Sequence, residues 1–366
     1  MTLLKEKGNL NFITSNKWLR TSYGKLLRNY LLKYSEITLI DLGAGIFETA
    51  TVDTSIALIA KNLNSEKKYS GKKYNGKNLY SDDFINLELK KNEIWEIYNV
   101  ESNIIKNKIE KNKRLIEFGV KLYYGILTGA NKVFILDEEK RNYLLNMDKN
   151  IINYIKPILR GKDIEKYSAN FKGYYLLNLH NGIPNVSDCV YLNPNEKLYK
   201  YLESFGDEFI SRGEKGKNWY NLRSCNYLEV YEKNKIIYSD IVQESGKFYL
   251  DTEKYYTNDT AFLIYHPELN ILKYLTGILN TNLVHKIYLM FYSGGKLGNK
   301  GLRYKKEFIS QIPIPNYNEK IVTIVEKIIE LKKLNKDTQE LENQIDEMVY
   351  DLYELTEDEK ELIRNF

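Results

Sequence analysis

Two groups of residues in this sequence have types and spacings that could do chemistry. The first is the turn Asp41-Leu-Gly-Ala-Gly45, with Phe47 just beyond it, at the end of the apolar run Thr38–Leu42. Glycines let backbone approach a ligand closely, and an apolar strand feeding such a turn is how a dinucleotide or S-adenosylmethionine site often begins. That site also needs a helix after the turn and an acid about 20 residues on, to hold ribose hydroxyls. Here the chain continues through Thr49, Thr51, Val52, Thr54 and Ile56, β-branched residues that disfavour helix. The stretch from Ile59 to Asn64 holds no acid. The other reading is two strands joined by a turn that presents Phe47, with any cofactor site elsewhere, outside this polypeptide. Asp41 has no partner acid or base at a telling spacing, so a turn or cap role suits it better than catalysis.

The second group is cationic. Arg160-Gly-Lys162 places two cations around a glycine, and Thr128-Gly-Ala-Asn131-Lys132 offers backbone amides and small polar groups in a turn. Gly294 to Gly301, with Lys296 and Lys300, is followed by Arg303 and Lys305, and no acid interrupts Lys286 to Lys306. The formal charge of +5, from 54 basic and 49 acidic residues, is too mild to argue from; the distribution carries the argument. Each charge run can equally be a solvated face, and Gly125, Thr128, Gly129 and Pro157 can serve turn geometry alone.

Other chemistries are disfavoured. Cys189 and Cys225 lie far apart without metal spacing, and His180, His266 and His285 are scattered. No endonuclease-like acid pair with a lysine and no Walker-type loop is visible. The 32 tyrosines accompany abundant Asn, Lys and Ile, which reads as genome bias rather than a base-stacking code. No apolar run reaches the length of about 18 residues that a membrane span needs, and Met1 to Phe12 has no signal-peptide core, so a cytoplasmic location with no membrane partner is expected.

The elements that must position these groups follow from periodicity. Asn9 to Ile59 reads as an α/β unit: a strand Gly8–Ile13, a helix across Ser15–Tyr34 carrying Trp18, Leu19, Leu26, Leu27, Tyr30 and Leu31, then strands Thr38–Leu42 and Asp53–Ile59. Residues 61–80 are polar and read as an exposed loop. A strand Ile94–Tyr98 and a helix Ile104–Ile109 follow, and a new domain begins near Phe118. It runs to Gln311-Ile-Pro-Ile-Pro315, after which Ile321, Ile324, Val325, Ile328 and Leu331, then Leu341, Ile345, Met348, Val349 and Leu352, form two apolar helical faces. Thr356 and Glu359 have capping-box spacing for a last helix.

Gly8-Asn-Leu-Asn-Phe-Ile-Thr-Ser-Asn-Lys-Trp-Leu-Arg20, Tyr23-Gly-Lys-Leu-Leu-Arg28 and the Phe47 segment resemble the later half of the catalytic domain of Taq-type adenine-specific DNA methyltransferases, type IIG restriction–modification enzymes included. Tyr124-Gly-Ile-Leu-Thr-Gly-Ala-Asn-Lys-Val-Phe-Ile135, Ile155 to Ile164, Trp219 to Arg223, Lys235 to Tyr238, Leu275 to Asn280 and Gln311 to Pro315 resemble that family's target-recognition domain, and Gln344 to Thr356 its C-terminus. The family's cofactor motif and Asn-Pro-Pro-Tyr tetrapeptide come earlier in the chain, and no Asn-Pro-Pro occurs here.

The resemblance implies an α/β fold. A partial Rossmann-like methyltransferase sheet (1–62) is followed by a connecting segment (63–115), a mixed α/β target-recognition domain (116–317) and C-terminal helices (318–366). It implies double-stranded DNA as ligand and S-adenosylmethionine as cofactor of the complete enzyme, with none bound by this chain alone. It also implies an upstream methyltransferase polypeptide as partner, any nuclease domain lying N-terminal to this chain. Phe47 takes the position of the aromatic that stacks on an extruded base; the competing role is a core phenylalanine. Thr128, Asn131, Lys132, Arg160, Lys162, Lys296, Lys300, Arg303 and Lys305 are the expected DNA contacts. The chain alone is expected to bind DNA and to transfer no methyl group. A non-catalytic DNA-specificity protein of a restriction or phage-defence complex is the alternative.

Overall fold

The computed structural model describes the chain except residues 1–2, 44, 48–51, 63–65, 75, 77, 80–83, 99, 184–185 and 294–300. It divides into two compact units, Met1–Lys108 and Ile109–Phe366.

The first unit is built on a five-stranded sheet. Its strands are β1 (Asn9–Ser15), β2 (Glu36–Gly43), β3 (Thr54–Ala60), β4 (Lys68–Lys73) and β5 (Ile85–Asn86), in the order β1-β3-β2-β4-β5. β3 runs antiparallel to both β1 and β2, β4 parallel to β2, and β5 antiparallel to β4. The apolar runs that predicted β2 and β3 alternate correctly: Ile37 and Leu39 lie opposite Ile59 and Ala57 and share one buried face. Trp18, Leu19, Leu31, Tyr34, Trp95 and Ile97 cover that face, with Trp18 meeting Trp95 edge-on at 5.8 Å.

Three expectations change here. The helix expected across Ser15–Tyr34 is broken into α1 (Lys17–Arg20), a 3-10 turn Ser22–Gly24, and α2 (Lys25–Leu31). Thr21 leaves helical geometry at φ −90°, ψ 161°. Two carbonyls at the break are taken by the buried guanidinium of Arg28, which donates to Trp18 O (2.5 Å) and Thr21 O (3.0 Å) and also reaches Glu93 O (2.8 Å). Arg28→Ala should therefore cost this unit about 2–4 kcal/mol, since buried carbonyls lose charged donors. A urea midpoint within error of wild type would show that the break is held by other means.

Second, Lys68–Lys73 is a strand, although residues 61–80 read as a loop. The backbone ladder to β2 makes it one, and Gly71 permits it: a Cβ there would lie 2.7 Å from Leu87 Cδ1 and 3.0 Å from Leu39 O. The expected connecting segment, 63–115, thus falls largely within the first unit. Third, Ile94–Tyr98 is not a strand: it has no regular structure and pairs with no sheet among the described residues. Trp95 N bonds instead to Leu19 O at 2.8 Å, and the following helix, α3, spans Val100–Ile109.

The second unit carries two four-stranded sheets. One has the order Tyr256–Thr257, Ile155–Leu159, Tyr175–Leu177, Ile135–Leu136; the other Phe248–Asp251, Lys235–Ser239, Ala261–Tyr265, Lys121–Tyr124. Helix Leu269–Leu279 packs against Glu319–Lys333 and Gln339–Leu352. As the apolar faces predict, Ile321, Ile324, Val325, Ile328, Ile345 and Val349 are buried. The capping box forms, with Thr356 N donating to Glu359 Oε2 (2.8 Å) and Glu359 N to Thr356 Oγ1 (3.4 Å). Tyr274 and Tyr353 donate to Pro315 O and Pro313 O, which ties the proline segment to these helices. Among the described residues, no helix is long and apolar enough to cross a membrane.

Candidate nucleic-acid interface and aromatic turn

In the second unit, strand direction brings several loops to one place. Ile155–Leu159 and Tyr256–Thr257 run parallel, so their C-terminal ends coincide. Ser239, at the end of its strand, lies opposite Ala261 at the start of another, and Tyr124 opposite Phe262. The turn Asn258-Asp259-Thr260 is the hub. Thr257 O accepts from Ile126 N (2.8 Å), Thr260 Oγ1 from Gly161 N (2.8 Å), and Thr260 O from Asp240 N (3.0 Å). Loops 125–132, 160–163 and 239–242 are therefore all tied to this turn, two by backbone bonds and one through the Thr260 hydroxyl.

The expected DNA-contacting residues separate into three groups. Asn131 and Lys132 on helix Asn131–Phe134, Lys162, and Lys305 at the cap of helix Lys306–Ile309 are exposed. Thr128 is instead buried: its hydroxyl donates to Asn131 Oδ1 (2.5 Å) and accepts from Ala130 N (3.3 Å), so it shapes the loop. Arg160 and Arg303 reach the surface but each is held by a carboxylate. Arg160 Nε and Nη2 meet Asp163 Oδ2 and Oδ1 at 2.8 and 2.9 Å, and its guanidinium lies 4.0 Å over the Tyr174 ring. Hydrogen bonding to Asp163 holds it above the usual arginine range. Arg303 Nε and Nη2 both meet Asp240 Oδ2, at 3.1 and 2.5 Å. Lys296 and Lys300 lie outside the described residues.

Reasoning from sequence missed Asp163, Asp240 and Thr260. Asp163 carried a signal, standing three residues after Arg160 and accepting from Arg160 N at 2.9 Å in the manner of a cap. Asp240 is 63 positions from Arg303, and nothing local links them. Lys306 Nζ sits 4.0 Å over the Tyr124 ring, whose hydroxyl donates to Glu307 at 2.9 Å, so this aromatic belongs to the same surface.

In the first unit, Gly43 (φ +69°) and Gly45 (φ +78°) turn the chain after β2, and Phe47 stands 44% exposed, which removes the core reading. Asp41 is buried beneath this turn. Its carboxylate accepts from Asn16 Nδ2 (3.0 Å), Arg20 Nη2 (3.2 Å) and Gly43 N (3.2 Å), where the β2–β3 register shifts. The next element among the described residues is β3, antiparallel to β2. Among the described residues the turn is therefore followed by an antiparallel strand and not by a helix, and the amide of Gly43 is occupied by Asp41. These residues do not fit an S-adenosylmethionine loop. Glu48 and Thr49 lie outside the described residues. Among those described, no three His, Cys, Asp or Glu side chains are grouped to hold a metal.

Residues 156–314 match the TaqI-like C-terminal specificity domain, and residues 1–47 match the Eco57I restriction-modification methylase. The type II methyltransferase M.MjaIV of Methanocaldococcus jannaschii is 26% identical over 237 residues, 63% of this chain and 77% of its own length. The type II methyltransferase M.BstVI of Geobacillus stearothermophilus is 23% identical over an alignment that covers 100% of this chain and 67% of its own. The solved type IIL restriction-modification enzyme MmeI, in complex with DNA, superposes on 95% of this chain with a TM-score of 0.52 at 12% identity, which shows the fold. The chain spans 47% of that enzyme. A methylase-type sheet joined to a specificity domain is the class these matches define. The chain is thus similar to type II methyltransferases of restriction–modification systems, through a match to a specificity domain over residues 156–314 and to a methylase over residues 1–47.

Proposed function

We propose that this chain provides target recognition, and one wall of the base pocket, to a site-specific adenine-N6 DNA methyltransferase. The observation that carries this reading is the convergence of loops 125–132, 160–163 and 239–242 on the Asn258–Thr260 turn, most of it within the matched specificity domain. Asn131, Lys132, Lys162 and Lys305 contact phosphates there, where cations add salt-sensitive affinity. Arg160 and Arg303, already oriented, are the candidates for base edges. Double-stranded DNA is the ligand. S-adenosylmethionine is the cofactor of the complete enzyme and is bound by an upstream methyltransferase polypeptide, because the Gly43/Gly45 turn does not fit it. Phe47 stacks on the extruded adenine.

The test is a methylation assay with this chain alone, then with the upstream polypeptide added. Full activity of the isolated chain would refute the division of labour. Sequence-specific binding with no methyltransferase captured by the chain would favour a stand-alone specificity protein. In the reconstituted enzyme, Phe47→Ala should bind its duplex normally but methylate about ten- to hundredfold more slowly, since a base–aromatic stack is worth about 1–3 kcal/mol. An unaltered rate would remove Phe47 from the pocket.

A further inference from the structure

We infer that Asp240 makes Arg303 a reader of guanine, and that Asp240 is a specificity-determining positioning residue. The inference rests on the target-recognition reading above. Arg303 is fixed at both ends. Its backbone lies in the two-residue strand Leu302–Arg303, paired with Ile241–Val242, while Tyr288 donates to Arg303 O (2.6 Å) and Tyr304 N to Asp240 O (2.7 Å). At the other end, the Nε–Nη2 edge of the guanidinium is spent on a single oxygen, Asp240 Oδ2. The side chain of Arg303 is still 44% exposed, against 11% for that of Asp240.

This arrangement suits base reading better than phosphate binding. A phosphate contact draws mainly on net positive charge and loses strength when a carboxylate neutralises the cation. A base contact needs a planar fork at a fixed angle. With Nε–Nη2 occupied, the Nη1–Nη2 edge keeps two nearly parallel N–H groups, the geometry that matches O6 and N7 of guanine. Holding the fork in place before binding also reduces the side-chain ordering that binding would otherwise cost.

Asp240 itself points the same way. Its Oδ1 is buried and has no hydrogen-bond partner among the described residues. A buried, half-satisfied carboxylate is unfavourable for folding, so such groups call for an explanation in function. Here the carboxylate's contact is committed to orienting Arg303. Lys132, Lys162 and Lys305 supply the exposed charge that positions the duplex around it.

The test selects duplexes from a random-sequence pool with the full chain. Affinities for the enriched duplex and each single-base-pair variant are then measured for wild type, R303K, D240A and D240N. The enriched duplex should contain one guanine whose replacement weakens wild type about ten- to hundredfold. R303K and D240A should lose that preference alone. Preferences at other positions and the slope of affinity against salt should stay unchanged in D240A. D240N, whose amide oxygen still accepts from Nε and Nη2, should retain part of the preference, and it is the variant to read if D240A melts early. Intact guanine preference in D240A, or an equal loss of affinity for every duplex, would overturn the inference while leaving target recognition standing. If wild type enriches no sequence, target recognition itself fails and the inference with it.

Discussion

Asp251→Ala should destabilise the Ile109–Phe366 unit by about 3–5 kcal/mol, read as a lowered urea midpoint. Lys235 and Asp251 are cross-strand partners with side chains 0% exposed, and Nζ lies 2.5 Å from Oδ2. Lys235 also donates to Tyr231 O (2.8 Å), and Asp251 accepts from Glu253 N (2.8 Å) and Tyr255 N (2.9 Å). Removing the carboxylate leaves an ammonium in the core and undoes the turn after the strand, so it should cost more than Lys235→Met. Burial pulls Lys235 below its ordinary value of 10.5 and pushes Asp251 above 3.8, so desolvation outweighs their attraction. The signs follow from linkage. Stability should rise as pH climbs from the lowered Lys235 value toward 10.5, and fall as pH climbs from 3.8 through the raised Asp251 value. Replacing both by apolar residues should recover most of the loss and abolish both slopes. An Asp251→Ala cost under about 1 kcal/mol would mean that water reaches this pair.

How much of this was legible beforehand depended on where the determining contact lies in the sequence. β2 and β3 declared themselves through apolar runs, and the C-terminal helices through two clean faces and a capping box, because those signals are local. β4 did not, since Lys-Tyr-Ser-Gly-Lys-Lys has no alternating apolar face; its parallel pairing with β2 makes it a strand. The same holds at the candidate interface. Asn131, Lys132, Lys162 and Lys305 were readable as exposed polar groups in turns. Arg160 and Arg303 looked like similar free cations, yet both are oriented by carboxylates, one three residues away and one 63. The Gly43/Gly45 turn shows the reverse: the β-branched residues after it already argued for a strand, and β3 is there.

Gly125→Ala should do the most damage to the interface itself. Gly125 has no positive φ to explain its identity. The reason is proximity: a Cβ would lie 1.7 Å from Asn258 O and 2.8 Å from Ala261 O. These are backbone atoms, and they are held, because Gly125 N donates to Ala261 O at 2.9 Å and Ile126 pairs with Asn258. No rotamer change relieves such a clash; the loop after Tyr124 and the hub turn must separate by more than 1 Å. Separation should cost on the order of 3 kcal/mol. It should also move the turn that holds Gly161 and Asp240, so several contacts to DNA lose register together. Sequence-specific affinity should fall at least about tenfold while weak, salt-sensitive binding persists, since exposed lysines need no register to meet phosphates. Gly213 is the control: its Cβ would meet nothing within 4 Å, and it too has no positive φ. Gly213→Ala should leave both melting and binding unchanged or slightly improved. If Gly125→Ala behaved like Gly213→Ala, the Asn258–Thr260 turn would not be what holds these loops together, and the interface would have to be built from the outer lysines alone.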